Sequence, residues 1–213
     1  MARTQALDYA NKRQKIKDVA ALLIARNGFH NTSITDIAAR CKTSKSRLYH
    51  YFESKEQLLF ELLQEHAETL SQLSDQILND PQTSPEDRLR NYAIALLRIN
   101  ITSRAKHAII LSELDRLPRK QTKKISTLLR RPIEALFETL GEINPALQQN
   151  ETMQFSSAMM FMGMLNWTHT WFDQAGALTV EQFADMACNT FLSGFGTLEL
   201  PHKATAELTK LEQ

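Results

Sequence analysis

Between Phe29 and Leu140 the chain contains no glycine. A stretch of that length without the residue that best tolerates tight turns and bulges argues against a β-fold. No run of alternating β-branched residues bounded by turns offsets that. What recurs instead is apolar spacing of three and four, the period of a helix with one buried face. Ile16, Val19, Leu22 and Leu23 mark one face of a first helix, which ends at Gly28, a residue suited to a left-handed C-cap. Ser33 caps a short second helix carrying Ile37 and Ala38. Lys42, Thr43 and Ser44 interrupt, and a third short helix covers residues 45–51.

Ser54 and Gln57 form a capping box at the head of a long helix whose stripe is Leu58, Leu62, His66, Leu70, Leu73 and Ile77. Ser84 and Pro85 start the next, with proline at the first helical position, where its missing N–H costs nothing. Its stripe is Leu89, Tyr92, Ala93, Leu96, Leu97 and Asn100. A shorter helix spans residues 105–117. The following helical period, Ile125 to Leu140, runs across Pro132, which is expected to kink or divide it. Residues 152–172 are apolar all round and read as a helix buried on every face. A last helix opens on the Thr179–Gln182 capping box and closes at Gly194 and Gly196. The fold class is all-α.

The net charge of +1 hides an asymmetry. Residues 1–60 hold eleven basic and five acidic side chains, a surplus of six positive charges; the remaining 153 residues carry a surplus of five negative ones. A basic module joined to an acidic one suggests a polyanion for the first and a different partner for the second. The longest uninterrupted apolar run, residues 158–165, is far short of the ~20 a membrane span requires. The polar, basic N-terminus lacks the apolar core of a secretory signal. Cys41 and Cys188 have no metal or redox spacing and read as reduced thiols of a cytoplasmic protein. There is no Gly-x-Gly-x-x-Gly, phosphate loop, His-Glu-x-x-His or Gly-x-Ser-x-Gly, so no catalytic or metal site is expected. His169 and Asp173, four apart, allow an imidazole–carboxylate pair but no nucleophile beside it.

Three short helices, the last two separated by three or four residues, have the dimensions of a helix-turn-helix. In the third, Ser44 is the cap and Leu48 and Phe52 face inward. Lys45, Ser46, Arg47, Tyr49 and His50 are left outward, types that suit base edges and phosphates. Lys55, in the first turn of the long helix, adds a candidate phosphate contact. Tyr51 suits either DNA or the junction between domains.

Residues 32–38 and 44–58, with their Leu48-Tyr49-x-x-Phe52-x-x-Lys55-x-x-Leu58 signature, resemble the DNA-binding domain of TetR-family repressors over roughly residues 15–63. The resemblance implies a three-helix DNA-binding domain followed by a helical regulatory domain whose last two long helices pair across a homodimer. It also implies a double-stranded operator contacted by Ser33, Thr35, Ser44, Lys45, Ser46, Arg47, Tyr49, His50, Tyr51 and Lys55. One departure stands out: the family's Ala-Gly-Val turn is Cys41-Lys42-Thr43 here. The implied organisation is a helix-turn-helix unit at residues 1–53, an effector-binding and dimerisation unit at 54–200, and a flexible tail at 201–213.

Five of seven methionines lie between Met153 and Met164. Flexible thioethers suit core or dimer packing, or a ligand of irregular shape. Residues 165–172 are similar to the corresponding helix of TetR-type repressors that answer to acyl-CoA or aryl-CoA thioesters, which implies such an inducer and no resident cofactor; the alternative is a hydrophobic ligand without CoA. Candidate effector contacts are Asn100, Arg104, Phe137, Met159, Met162, Asn166, Trp167 and His169. Asn166 and His169 suit a thioester carbonyl, each other, or a satisfied interior. The basic residues Arg116, Arg119, Lys120, Lys123, Lys124, Arg130 and Arg131 supply cations for CoA phosphates or form a solvated helix face.

Overall fold

The computed structural model describes residues 2–195, which form ten α-helices and two short 3₁₀ turns, with no strand among them. Helix α1 spans Ala2–Asn27, α2 Ile34–Arg40 and α3 Lys45–Tyr49. Helix α4 (Lys55–Ile77) leads into α5 (Pro85–Thr102), α6 (Arg104–Ser112) and α7 (Arg119–Ile143). The described chain closes with α8 (Glu151–Asn166), the single turn α9 (Thr168–Trp171) and α10 (Val180–Phe195). The tail expected at residues 201–213, and Gly196, lie outside the described residues.

The caps set the boundaries. The Ser33 hydroxyl accepts from the Asp36 amide and the Asp36 carboxylate accepts from the Ser33 amide, a complete capping box. The Ser44 hydroxyl accepts from the Arg47 amide and Ser54 from Gln57. The Gln57 side chain reaches one residue further back than the capping box requires, accepting from the Glu53 amide. Thr179 and Gln182 satisfy each other as their spacing predicts. A cap of this kind contributes about 1 kcal/mol. Ser44→Ala is therefore expected to lower stability by that amount and to loosen α3, measurable by urea unfolding and by amide exchange at Lys45–Arg47.

Gly28 takes the left-handed conformation that ends α1, with φ 81°. Lys42, in the departing turn, has φ 54°. A non-glycine residue there costs roughly 1–2 kcal/mol, offset by the packing of the helices it joins.

Two clusters of buried apolar residues organise the chain. The first seats the helix-turn-helix: Ile16, Ala20 and Ile24 of α1 meet Ile37, Leu48, Phe52 and the first half of α4. It does not close at residue 53, because Ile109, Ile110, Leu117 and Ile125 belong to it as well. Leu22 is 64% exposed, so the buried face of α1 is carried by Ala20 and Ala21 where the sequence reading used Leu22. The second cluster joins α5, the second half of α7, α8 and α10 around Tyr92, Leu96, Leu136, Phe161 and Phe191.

Ion pairs bind α1 to the helices behind it. Lys17 pairs with Glu65, Arg13 with Glu61, and Lys106 reaches Asp18 at 3.2 Å and Glu65 at 3.6 Å.

Two sequence expectations change. Helix α7 is not divided at Pro132, whose ring is buried. The helix expected over 152–172 breaks at Trp167 into α8 and α9. Nor is α8 covered all round: Met160 is 64% exposed and Phe155, Met159 and Met164 are also bare, as are Trp167 just beyond it, Trp171 of α9 and Met186 of α10. The apolar excess read as interior faces outward from the single chain.

Candidate functional site

The turn and the Ser44 cap aim α3 away from the rest of the molecule. Leu48 and Phe52, four apart, are buried against α1 and α2, and this fixes the helix rotation. Ser44, Lys45, Ser46, Arg47, Tyr49 and His50 are exposed. They divide into two faces. Lys45, Ser46, Tyr49 and His50 line one shallow surface depression, with the Lys45 ammonium 6.0 Å from the centre of the Tyr49 ring. Arg47 lies on the other side, in a 280 Å³ recess it shares with Lys12, Lys15, Lys42, Thr43 and Tyr51. The second group is a concentration of cations spanning α1 and the turn, chemistry for a phosphate; the first mixes a cation, a hydroxyl, a phenol and an imidazole, chemistry for base edges.

The remaining sequence candidates for this surface are placed differently. Thr35 is exposed at the start of α2. The Ser33 hydroxyl is occupied, accepting from the Asp36 amide and donating to its carboxylate, which holds the Asp36 carboxyl below the usual range. Lys55 does not point outward. Its ammonium donates to the Phe29 and Thr32 carbonyls at 2.7 and 2.9 Å and sits 4.1 Å from the Phe29 ring centre. Its observed work is to tie α4 to the α1–α2 loop, because two carbonyls and a ring face reach it first. Tyr51 is half-buried and stacks on Tyr9 of α1 at 4.8 Å, its junction role. Tyr9 also donates to the His50 carbonyl, a long bond at 3.4 Å. Nothing in the sequence marks Tyr9, since its partner lies some forty residues away.

Behind the helix-turn-helix, a 190 Å³ pocket lies among α4, α5, α6, α7 and α8, with the exposed Leu111 and Met159 at its rim. Its wall is largely apolar, with Leu96, Ile110, Leu129 and Pro132, and its polar groups are Tyr92, His107 and Asn166. Burial raises the Tyr92 phenol well above its ordinary value, and the hydroxyl donates to Met162 sulfur at 3.7 Å. Of the sequence candidates, Met159, Met162 and Asn166 line this cavity. Phe137 lines a neighbouring open groove of 710 Å³ between α7 and α8, which shares Leu129 and Ile133 with the cavity wall. Both are therefore two sides of one layer of side chains.

Three candidates fall elsewhere. Asn100 is fully buried and donates to the Leu165 carbonyl, fastening α5 to α8. Arg104 donates to the Phe172 carbonyl at the end of α9. Trp167 is on the bare outer face. Asn100 stands on the buried stripe of α5, and the rotation of that helix turns it to α8 and away from the pocket. His169 is half-buried, and its Nδ1 donates to the Asn166 backbone carbonyl at 2.6 Å. The pair with Asp173 is not formed; that carboxylate accepts from the Ala175 amide.

The sequence reading missed a file of three imidazoles. His66 Nε2 and His107 Nδ1 are 3.3 Å apart and buried, and the His107 and His169 rings follow at 5.5 Å between centres. Burial, with Lys106 adding and Glu65 opposing, pushes His66 down to about 4. Burial and the two neighbouring imidazoles push His107 down to about 3, against the Asn166 side chain. Both are neutral near pH 7. Among the described residues no group of three or more His, Cys, Asp and Glu could hold a metal ion. No helix among them is long and apolar enough to cross a membrane.

Residues 16–62 match the family described as bacterial regulatory proteins, tetR family, and residues 82–195 match the tetracyclin repressor-like C-terminal domain. The chain belongs to the TetR family. A TetR-family transcriptional regulator from Bordetella parapertussis is 36% identical, with a TM-score of 0.82 over 88% of this chain and 97% of that one. AibR, solved in complex with isovaleryl coenzyme A and operator DNA, is 27% identical with a TM-score of 0.72 over 84% of this chain and 97% of AibR. The transcriptional repressor KstR2 of Mycolicibacterium smegmatis is 35% identical over 86 residues, 40% of this chain and 42% of that protein. This chain thus spans about two-fifths of that curated relative's length.

Proposed function

We propose that this TetR-family chain is a homodimeric transcriptional repressor that reads a palindromic operator through α3 and leaves it when a CoA thioester binds among the regulatory helices. The observation that carries the DNA reading is the exposed Lys45, Ser46, Tyr49 and His50 surface, held outward by the buried Leu48 and Phe52. Lys12, Lys15, Lys42 and Arg47 beside it supply phosphate contacts that fix its register. Two copies related by a two-fold axis would place their α3 helices in successive major grooves, about 34–36 Å apart.

The bare face of α8 and α10 supports the dimer. Met160, Met164, Trp167 and Met186 form an apolar surface without cover in the single chain. A Cβ placed on Gly163 would meet nothing within 4 Å, so a second helix can approach closely there. Met160→Lys is expected to weaken the dimer by at least about 100-fold, since a two-fold contact buries the new charge twice. Sedimentation velocity measures it, and operator affinity should fall with dimer content.

Three observations support the thioester. The 190 Å³ cavity is smaller than the ~300–1,000 Å³ that houses a whole small ligand, so it suits an acyl group only. The adjoining 710 Å³ groove has room for the remainder. Arg130 lines that groove, and Lys123 and Arg119 continue the same face of α7 toward its N-terminus, where polyanionic phosphates are favoured. Arg116, Arg130 and Arg131 pair with Glu113, Glu134 and Asp75, so a phosphate must compete with Glu134 for Arg130, while Arg119 and Lys123 have no such partner to displace among the ion pairs of the described residues.

The test is fluorescence anisotropy with the palindrome nearest the chain's own coding region, with and without isovaleryl-CoA and with CoA and isovalerate as controls. Tight, salt-sensitive binding released by the thioester supports the reading. Absence of operator preference would remove it, and release by free hydrophobes but no thioester would replace the CoA part alone.

A further inference from the structure

The cavity wall brings two buried polar atoms near each other, His107 Nε2 and Asn166 Oδ1, neither within hydrogen-bond distance of a partner although the Asn166 side chain acts on the His107 imidazole. His107 is 98% buried and lines the cavity, and its Nε2 has no hydrogen-bond partner. Asn166 lines the same cavity, and its buried Oδ1 is likewise unpartnered. A buried polar atom without a full hydrogen bond is costly, and an oxygen function held between these two would satisfy both where an apolar ligand would satisfy neither. We propose that His107 and Asn166 are the polar anchor of the cavity, binding an oxygen function carried on a small apolar group, and that the His66–His107 contact passes occupancy to α4. This rests on the cavity being the effector site and extends it to the chemistry recognised and the route of the signal.

The hydrogen-bond inventory supports an oxygen. His169 Nδ1 faces a carbonyl, which only accepts, so that nitrogen carries its hydrogen and the ring is fixed. The His66–His107 pair is not fixed. Either His66 Nε2–H donates to His107 Nδ1, leaving His107 Nε2–H as a donor into the cavity, or the reverse holds and Nε2 becomes an acceptor. A carbonyl oxygen selects the first arrangement, with the Asn166 amide turning its NH₂ inward. A hydroxyl also selects it, accepting from His107 and donating to Asn166 Oδ1. A ligand therefore sets the direction of the His66–His107 hydrogen bond.

That bond is well placed to act. His66 sits in the middle of α4, which is joined to α3 by the short segment 50–54. The neighbours of the two imidazoles, Glu65 and Lys106, face the other way and hold α1 through Lys17 and Asp18. The same two turns of α4 and α6 thus meet the ligand on the inside and the DNA-reading domain on the outside. A shift of α6 against α4 as the anchor fills must alter the hold on α1.

The experiment uses the full chain with three small probes of one shape: 3-methyl-2-butanone, 3-methyl-2-butanol and the hydrocarbon 2,3-dimethylbutane. Histidine ring ¹⁵N spectra, assigned with His66→Gln and His107→Gln, report the tautomers. The ketone and the alcohol are expected to bind about fivefold more tightly than the hydrocarbon and to convert His107 Nε2 to its protonated form. His107→Phe, or Asn166→Leu should that variant not fold, is expected to erase the advantage. Equal binding of the hydrocarbon, binding of no probe, or an advantage that survives both substitutions would overturn the anchor.

For the coupling, saturating ketone is expected to weaken operator binding about fivefold in the unmodified chain. His66→Phe should keep ketone binding but lose this effect, and His66→Gln should restore it. No effect in the unmodified chain, or an undiminished one in His66→Phe, would overturn the coupling. Isovaleryl-CoA in the same titration separates the two readings. Release by ketone but not by the thioester ends the CoA reading alone, whereas thioester release unchanged by His107→Phe ends the anchor alone.

Discussion

On the proposed DNA reading, Lys45→Ala is expected to cut the preference for operator over random duplex by roughly 5- to 150-fold, the effect of removing one base contact. Arg47→Ala is expected to weaken operator and random DNA alike and to lower the slope of log affinity against log salt by about 1. The distinction comes from helix rotation. Both residues are exposed cations two apart on α3, yet Lys45 shares its surface with Ser46, Tyr49 and His50 while Arg47 joins the cations of α1 and the turn. Competition anisotropy over a salt series measures both quantities at once. If Lys45→Ala lost affinity uniformly and Arg47→Ala lost preference, the two faces would have to exchange roles.

Stability is expected to fall steeply in mild acid. His66 and His107 are held neutral, at about 4 and about 3, where an exposed histidine stands at 6.5. Above pH 6.5 neither the folded nor the unfolded chain protonates them, and their contribution is constant. As the pH drops, the unfolded chain takes up protons that the folded chain refuses. Each imidazole then removes roughly 1–1.5 kcal/mol per pH unit until its folded value is reached. By pH 5 the pair removes about 4 kcal/mol, a large share of a typical 5–15 kcal/mol total. The carboxylates Asp36, Asp80 and Glu181 have depressed values as well, but their contribution is lost only below about pH 4.5. Urea unfolding at pH 7, 6 and 5 separates the two groups, and His66→Phe should roughly halve the slope between 6.5 and 5. A flat profile over that range would mean that the imidazoles are wet.

Local features of the fold were legible residue by residue. Ser33, Ser44, Ser54, Ser84 and Thr179 each cap the helix expected of them, because a cap is a contact between residues two or three apart. The stripe of α5 is buried from Leu89 to Asn100 for the same reason: a helical period is set within a few turns. Lys42 shows the limit of the turn signal. The left-handed conformation forms there without glycine, and only the packing of α2 and α3 makes it tolerable. Pro132 shows another limit, since the helix expected to kink or divide passes through it unbroken. The apolar excess of residues 152–172 was visible, but its direction was not. A helix read as buried all round carries one face to the core and offers the other outward.

The sequence alone determined most of the helices, their caps and the outward cations of α3, all properties of short-range spacing, and its motif residues at 32–38 and 44–58 carried the resemblance to the TetR family. Only the tertiary structure decided that Lys55 turns inward, that Lys45 and Arg47 serve different surfaces, and that His107 with Asn166, not His169, faces the cavity. The physical reason is that this cavity is bounded by five helices drawn from distant parts of the chain. Which side chains converge there depends on how those helices rotate and cross, and no periodicity within one of them records it.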